Sequence, residues 1–170
     1  MSENKIKVPF HKAAITKAEE KAVLDVLRSG WLTTGKYALE FEKKFSAIVS
    51  QGDEKEGRAP VISLAVNSNT SGMILAMEAC GVREGTYVIT TPYTFVSTAT
   101  CARHLGAHVI FADIEKDTYS IDPENIEKIL QKAAAEGKVI TAIVPVHIAG
   151  NICTLVAKHS DIMPLSLILR

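Results

Sequence analysis

The chain of 170 residues has few cysteines, one tryptophan and no excess of charge of either sign. Three widely spaced cysteines exclude a disulfide-stapled scaffold and fit a reducing compartment. The 19 basic and 19 acidic side chains balance, so nothing favours nucleic acid or an anionic membrane as a partner. No apolar run approaches the ~20 residues of a membrane span, and the polar N-terminus lacks the apolar core of a secretory signal. We therefore expect a cytoplasmic protein without a membrane segment.

Familiar binding motifs are also missing. The sequence has neither a Gly-x-Gly-x-x-Gly fingerprint nor a Walker-type lysine motif, which disfavours an unrelated small nucleotide-binding domain. His104 and His108 are spaced like metal ligands, but Gly106 would break a helix between them and no third ligand is evident. We therefore expect no metal site. The cysteines form no Cys-x-x-Cys pair, so a nucleophilic cysteine is equally unsupported.

Short apolar runs alternate with helix-compatible segments, which predicts an α/β fold with a largely parallel sheet. A capping box of Thr16 and Glu19 begins the first helix, and Gly30 ends it. Because ligands bind at the carboxyl ends of such strands, the polar turns that follow them are candidate sites. Strands are predicted at residues 61–66, 87–90, 108–112 and 139–146, and helices at 17–28, 36–49, 73–80, 95–105 and 123–136.

The turn at residues 67–72 joins an apolar run to a helix through small hydrogen-bonding side chains. The first backbone N–H groups of a helix are free and lie at its positive end, so they can bind an anion such as phosphate. The alternative is an ordinary helix cap, since Ser, Thr and Asn are the usual capping residues.

Two ring side chains follow predicted strands. Phe95 could stack on a flat heteroaromatic ligand, or it could be a core aromatic. His147 could contact a substrate or cofactor, or it could only hold its own loop by a hydrogen bond. The residues alone leave both pairs of alternatives open.

A set of segments carries more information in combination than any one of them does. They lie, in order, at residues 8–10, 29–35, 41–42, 67–71, 91–99, 106–107, 111–114, 145–147 and 150–151. In this order the chain resembles the N-terminal part of the DegT/DnrJ/EryC1/StrS family, the sugar aminotransferases that use pyridoxal 5'-phosphate (PLP).

The resemblance implies the type I aminotransferase fold of PLP-dependent enzymes, with a partial large domain of mostly parallel sheet and flanking helices. It implies that Thr70 and Ser71 hold the cofactor phosphate, that Phe95 stacks on the pyridine ring, and that His147 lies at the cofactor edge. It also implies a nucleotide-linked keto-sugar substrate, an amino-acid donor such as glutamate, and a homodimer. The residues that it places near the substrate are Trp31, Thr33, Thr34 and Gly35.

The family also needs a lysine bound to the cofactor and an acidic residue beside the pyridine nitrogen. Lys158 and Asp161 do not match the motifs that carry these residues in the family, so we expect no catalytic residue in this chain and no transamination by it alone. We expect an N-terminal arm and partial large domain over residues 1–151, an atypical or truncated tail over 152–170, and no small C-terminal domain. The alternative is a non-catalytic remnant or partner subunit that binds a phosphorylated ligand or a full-length homologue. Dehydration instead of amino transfer also remains open.

Overall fold

The computed structural model describes residues 9, 12–51 and 59–153, and the chain divides into two compact units, residues 1–65 and 66–170. The predicted tail beyond residue 153 lies outside the described residues, so the predicted boundary at 151 stays a prediction. None of the described helices has the length and apolar character that crossing a bilayer requires.

The described residues of the first unit form two helices, α1 (Lys17–Ser29) and α2 (Lys36–Val49). The predicted capping box is present: the Thr16 hydroxyl accepts the Ala18 N–H, and Glu19 Oε2 accepts the Thr16 N–H at 2.7 Å. Gly30 ends α1 with a left-handed φ of 69°, a conformation that costs glycine little because it has no Cβ. The bounds predicted for α2 are confirmed.

The prediction of a strand at residues 61–66 is wrong. This segment joins no sheet among the described residues. It bonds to α2 instead. Every second N–H group of the segment donates to a side chain of α2 or of its C-cap, at 2.7–2.9 Å, so these donors are not available to a β-ladder. The donor and acceptor residues are Val61 with Ser50, Ser63 with Ser46, and Ala65 with Glu42.

The described residues of the second unit form a sheet of three strands, all parallel, which agrees with the prediction of a largely parallel sheet. Its strands are β1 (Tyr87–Thr90), β2 (His108–Phe111) and β3 (Ile140–Val144), in the order β2-β1-β3. The last residue of β1, Thr90, is in register with the last residues of β2 and β3. All three carboxyl ends therefore meet at one edge.

In the part of this unit that the structure describes, three α-helices accompany the sheet: α3 (Asn69–Ala79), α4 (Ser97–His104) and α5 (Pro123–Ala135). The cap predicted for α5 is present, because the Asp122 carboxylate accepts the Glu124 N–H and a proline occupies the first turn. Helix α3 begins four residues before the predicted start at Met73. The turn residues that were expected to precede this helix form its first turn.

The central strand divides the core into two clusters. Val88 belongs to one with Met73 and Met77 of α3, and Ile89 belongs to the other with Ile126 of α5. Both valine and isoleucine are fully buried. Strand β1 is therefore covered on both faces, which is the usual state of a parallel sheet and explains its continuous apolar sequence.

Candidate functional site

The carboxyl edge of the sheet presents the segments that follow the strands. Thr91 follows β1, and its side chain, which accepts the Tyr93 N–H at 3.2 Å, is fully buried. The segment after β3 leads through the buried Pro145 to His147. The predicted site residues of the second unit thus lie on segments that adjoin this edge or, for Thr70 and Ser71, on the first turn of α3.

The first turn of α3 is both a capped helix end and a set of free donors. Ser68 is the N-cap: its Oγ accepts the Ser71 N–H at 3.1 Å and lies 2.9 Å from Ser71 Oγ. Among the described residues, no hydrogen bond takes up the backbone N–H of Asn69 or of Thr70. The two interpretations of the turn are therefore compatible, because the cap satisfies one donor and leaves two at the positive end of the helix.

Helix α4 lies beside α3 and brings the second predicted site segment to it. Cys101 Sγ donates to the Thr70 carbonyl oxygen at 3.6 Å, and the hydroxyls of Thr94 and Thr98 are 2.9 Å apart in the turn that begins α4. Burial raises the pKa of the Cys101 thiol. This cysteine is thus a neutral donor between helices and has no thiolate for nucleophilic chemistry at neutral pH.

Phe95 lies in this turn with 76% of its surface exposed. The alternative that Phe95 is a core aromatic is therefore wrong, and its ring is free to stack on a ligand.

Nearby in the chain, the Tyr93 ring contacts the Tyr119 ring at a centroid distance of 5.7 Å. Tyr119 has a left-handed φ of 58°, which a tyrosine rarely adopts. The sequence carries no signal for this contact, because it joins two loops 26 positions apart by packing alone.

His147 has a structural role. Its Nδ1 accepts the Cys153 N–H at 3.0 Å and so holds the chain after the turn Ile148–Gly150. A neutral imidazole that accepts at Nδ1 carries its proton on Nε2. The predicted contact with a cofactor edge is therefore restricted to this second nitrogen, which acts as a donor.

The predicted substrate residues lie in the first unit, around the loop between α1 and α2. Trp31 Nε1 donates to the Thr34 carbonyl oxygen at 2.9 Å. A Cβ added to Gly35 would lie 2.8 Å from Trp31 Cδ1, so glycine is required for the indole to take this position. Trp31, Thr33 and Gly35 line an open pocket of about 380 Å³ together with Lys36 and Tyr37.

Comparison with known proteins identifies the fold. The sequence model of the DegT/DnrJ/EryC1/StrS aminotransferase family matches residues 13–162. The spore coat polysaccharide biosynthesis protein SpsC of Bacillus subtilis is 39% identical over 148 residues, which cover 87% of this chain and 34% of SpsC. The chain thus spans about a third of the length of the curated relatives it matches.

Comparison with solved structures agrees with the sequence comparisons. Spr1654 of Streptococcus pneumoniae, assigned as a sugar aminotransferase and solved in its PLP form, has a TM-score of 0.71 and 29% identity, covering 87% of this chain and 34% of that one. For 3-amino-5-hydroxybenzoic acid synthase the TM-score is 0.72 at 30% identity, covering 96% of this chain and 41% of that one. The fold is that of PLP-dependent aminotransferases. Within this class, the chain belongs to the DegT/DnrJ/EryC1/StrS aminotransferase family.

PLP is the cofactor that the family and the PLP form of Spr1654 indicate. The donors at the start of α3 suit its phosphate: two free N–H groups and the hydroxyls of Thr70 and Ser71 lie within one helical turn. The exposed ring of Phe95 lies in the turn that begins the adjacent helix. The residues present therefore fit the group, and the role of each remains a prediction.

Proposed function

We propose that this chain forms the phosphate-binding and substrate-facing part of a PLP-dependent aminotransferase. The reaction would transfer an amino group from an amino acid, glutamate, to a keto-sugar nucleotide in polysaccharide or amino-sugar biosynthesis. Membership of the family and the names of SpsC and Spr1654 support the sugar class. The observation that carries the proposal is the first turn of α3, whose two free N–H groups suit a phosphate.

The bound cofactor would supply an electron sink for charge that develops beside the transferred amino group. The chain's own residues bind and orient it. The first turn of α3 contributes backbone donors, the hydroxyls of Thr70 and Ser71, and the helix dipole, all of which favour a phosphate dianion. Phe95 offers a flat apolar face for the pyridine ring. His147 contributes a single donor, Nε2–H, since Nδ1 is occupied.

We assign the substrate to the pocket beside Trp31. Trp31 and Tyr37 provide aromatic surfaces and Lys36 provides a cation, a combination that suits a nucleotide with its phosphates. We further propose that the protein acts in the cytoplasm as a homodimer. The second candidate function is a non-catalytic subunit that binds a phosphorylated ligand, because the free donors at the start of α3 suit a phosphate in either case.

Binding of pyridoxamine 5'-phosphate to the purified chain tests the proposal. This form has no aldehyde and so cannot react with surface lysines, and pyridoxamine provides the same ring without the phosphate. We expect a clear preference for the phosphorylated compound in equilibrium dialysis. Thr70→Ala should weaken its binding about tenfold or more, because hydrogen bonds to charged groups contribute ~1.5–3 kcal/mol.

Thr141→Ala is the matched control. Thr141 lies near the start of β3, toward the opposite end of the sheet, and its hydroxyl donates to the Tyr87 carbonyl oxygen. The affinity of the Thr141→Ala variant for pyridoxamine phosphate should equal that of the unaltered chain. Equal binding of both pyridoxamine compounds, or an unchanged affinity in Thr70→Ala, would refute the assignment of this turn.

A further inference from the structure

We propose that Ser68 is a positioning residue for the phosphate site, because its hydroxyl orients the hydroxyl of Ser71 toward the ligand. This inference rests on the proposed function of the α3 turn. Ser68 is the N-cap of α3 and precedes the residues that the family resemblance assigns to phosphate binding. Its effect would pass through Ser71 and would not require contact with the cofactor.

Two contacts connect Ser68 with Ser71. Ser68 Oγ accepts the Ser71 N–H at 3.1 Å, and the two Oγ atoms are 2.9 Å apart. The first contact removes the Ser71 N–H from the set of donors that a phosphate could use. Ser71 can therefore contribute only its hydroxyl, while backbone donation falls to Asn69 and Thr70.

The contact between the hydroxyls has two possible directions. Each hydroxyl carries one proton, so either Ser71 donates to Ser68 or Ser68 donates to Ser71. If Ser71 donates to Ser68, its proton is directed away from the ligand and its oxygen faces an anion unfavourably.

A phosphate dianion selects one direction, since its oxygens only accept. Ser71 then donates to the phosphate, and its oxygen becomes free to accept the proton of Ser68. Successive hydrogen bonds polarise one another, so the donation from Ser68 strengthens the donation from Ser71. Ser68 Oγ still accepts the Ser71 N–H, so the helix keeps its cap in the bound state.

A serine at an N-cap stabilises a helix in any case, and suitable variants separate the two roles. Ser68→Thr keeps both the cap and the hydroxyl proton. Ser68→Asn keeps a neutral cap of similar strength. Its carbonyl oxygen would accept from Ser71, and the amide protons on the far side of that group would not reach Ser71 Oγ. Ser68→Ala removes both roles.

The experiment measures urea unfolding and the affinities for pyridoxamine phosphate and pyridoxamine in each variant. We expect Ser68→Asn to unfold at the same urea concentration as the unaltered chain but to bind pyridoxamine phosphate about five- to tenfold more weakly, the effect of one hydrogen bond. Its affinity for pyridoxamine should not change. Ser68→Thr should bind pyridoxamine phosphate within about twofold of the unaltered chain, while Ser68→Ala should lose both stability and affinity.

Two results would overturn the inference on its own. If Ser68→Asn binds pyridoxamine phosphate as tightly as the unaltered chain, Ser68 is only a cap. If Ser68→Thr binds as weakly as Ser68→Asn, the hydroxyl proton is not the cause. In both cases the unaltered chain would still prefer the phosphorylated compound, and Thr70→Ala would still bind that compound more weakly. Absence of the preference in the unaltered chain would instead refute the proposed function, and the role of Ser68 with it.

Discussion

The helices of the two units differ in their surroundings. In α1 and α2 no residue is buried, whereas α3, α4 and α5 each bury at least two. A side chain caps the first turn of α1, α3 and α5, whereas α2 and α4 begin without one. Caps occur in both units, but burial depends on residues distant in the sequence.

Different interactions hold each unit together. Among the described residues of the first unit, the contacts include helix caps, exposed ion pairs such as Lys21 with Asp25, and the stacked rings of Phe41 and Phe45. The 61–65 segment also bonds to side chains of α2 and its cap. Exposed ion pairs contribute little. In the second unit, buried apolar side chains cover both faces of β1. Substitutions of equal chemistry should consequently have unequal effects in the two units.

The largest expected difference is between two isoleucines. Ile89 in β1 is fully buried, whereas 61% of Ile48 in α2 is exposed. Ile89→Ala should lower the free energy of unfolding by about 2–5 kcal/mol, because it removes buried methyl groups and leaves a cavity. Ile48→Ala should change it by less than about 1 kcal/mol, since the side chain is already in water and alanine favours a helix. Urea unfolding followed by circular dichroism measures both values.

Each isoleucine variant is the control for the other, because the same atoms are removed. Equal losses of stability would contradict the comparison and would show that Ile48 is covered in solution. A small loss for Ile89→Ala would show that the cavity collapses as neighbouring side chains move, which buried strand positions seldom permit.

A smaller effect distinguishes two buried hydroxyls within the second unit. Thr90 Oγ1 donates to the Val144 carbonyl oxygen at 2.9 Å, whereas Ser120 Oγ has no hydrogen-bond partner among the described residues. Thr90→Val should cost about 1 kcal/mol, the usual net value of a buried hydrogen bond. Ser120→Ala should be neutral or stabilise the protein by up to about 1 kcal/mol, because it removes a desolvated and unpaired group.

The opposite signs are the test in this pair, and thermal unfolding of the two variants beside the unaltered chain measures them. If Ser120→Ala destabilised the protein as much as Thr90→Val, a water molecule or another group would have to bind the serine hydroxyl. Both side chains are small and buried, so the change in volume does not produce the difference in sign.

Sequence-based prediction succeeded where the interacting residues are close in the sequence and failed where they are distant. The caps of α1 and α5 and the bounds of α2 were predictable, because the residues responsible lie within a few positions of one another. The parallel sheet followed from the alternation of helices and strands. The segment at 61–66 was misjudged because its N–H groups bond to side chains 11 to 23 positions earlier.

The candidate site shows the same limit. The phosphate turn was recognisable from local residue types, but the bond from Cys101 to the Thr70 carbonyl joins residues 31 positions apart. The exposure of Phe95 was not predictable either. An aromatic after a strand is equally compatible with a core position, and only the packing of the surrounding elements decides between them. His147 showed no sequence signal for its bond to Cys153, since a histidine can accept from any nearby N–H.

The smallest expected effect concerns α1, which is stabilised at its own N-terminus. Glu19 accepts hydrogen bonds from the hydroxyl and the N–H of Thr16, and these lower the pKa of its carboxyl from the ordinary value of 4.5. A carboxyl with a lowered pKa in the folded state stabilises that state above its unfolded pKa and loses this effect as the pH falls through the folded value. The start of α1 should therefore fray as the pH falls below about 4.5, which the Cα chemical shifts of residues 17–20 would report in an NMR titration. Glu19→Gln keeps an acceptor for the capping box without a titrating group at position 19, so the shifts of residues 17–20 should change less in this variant over the same range. Identical titrations of the two proteins would show that the capping box does not govern the pH response of this helix.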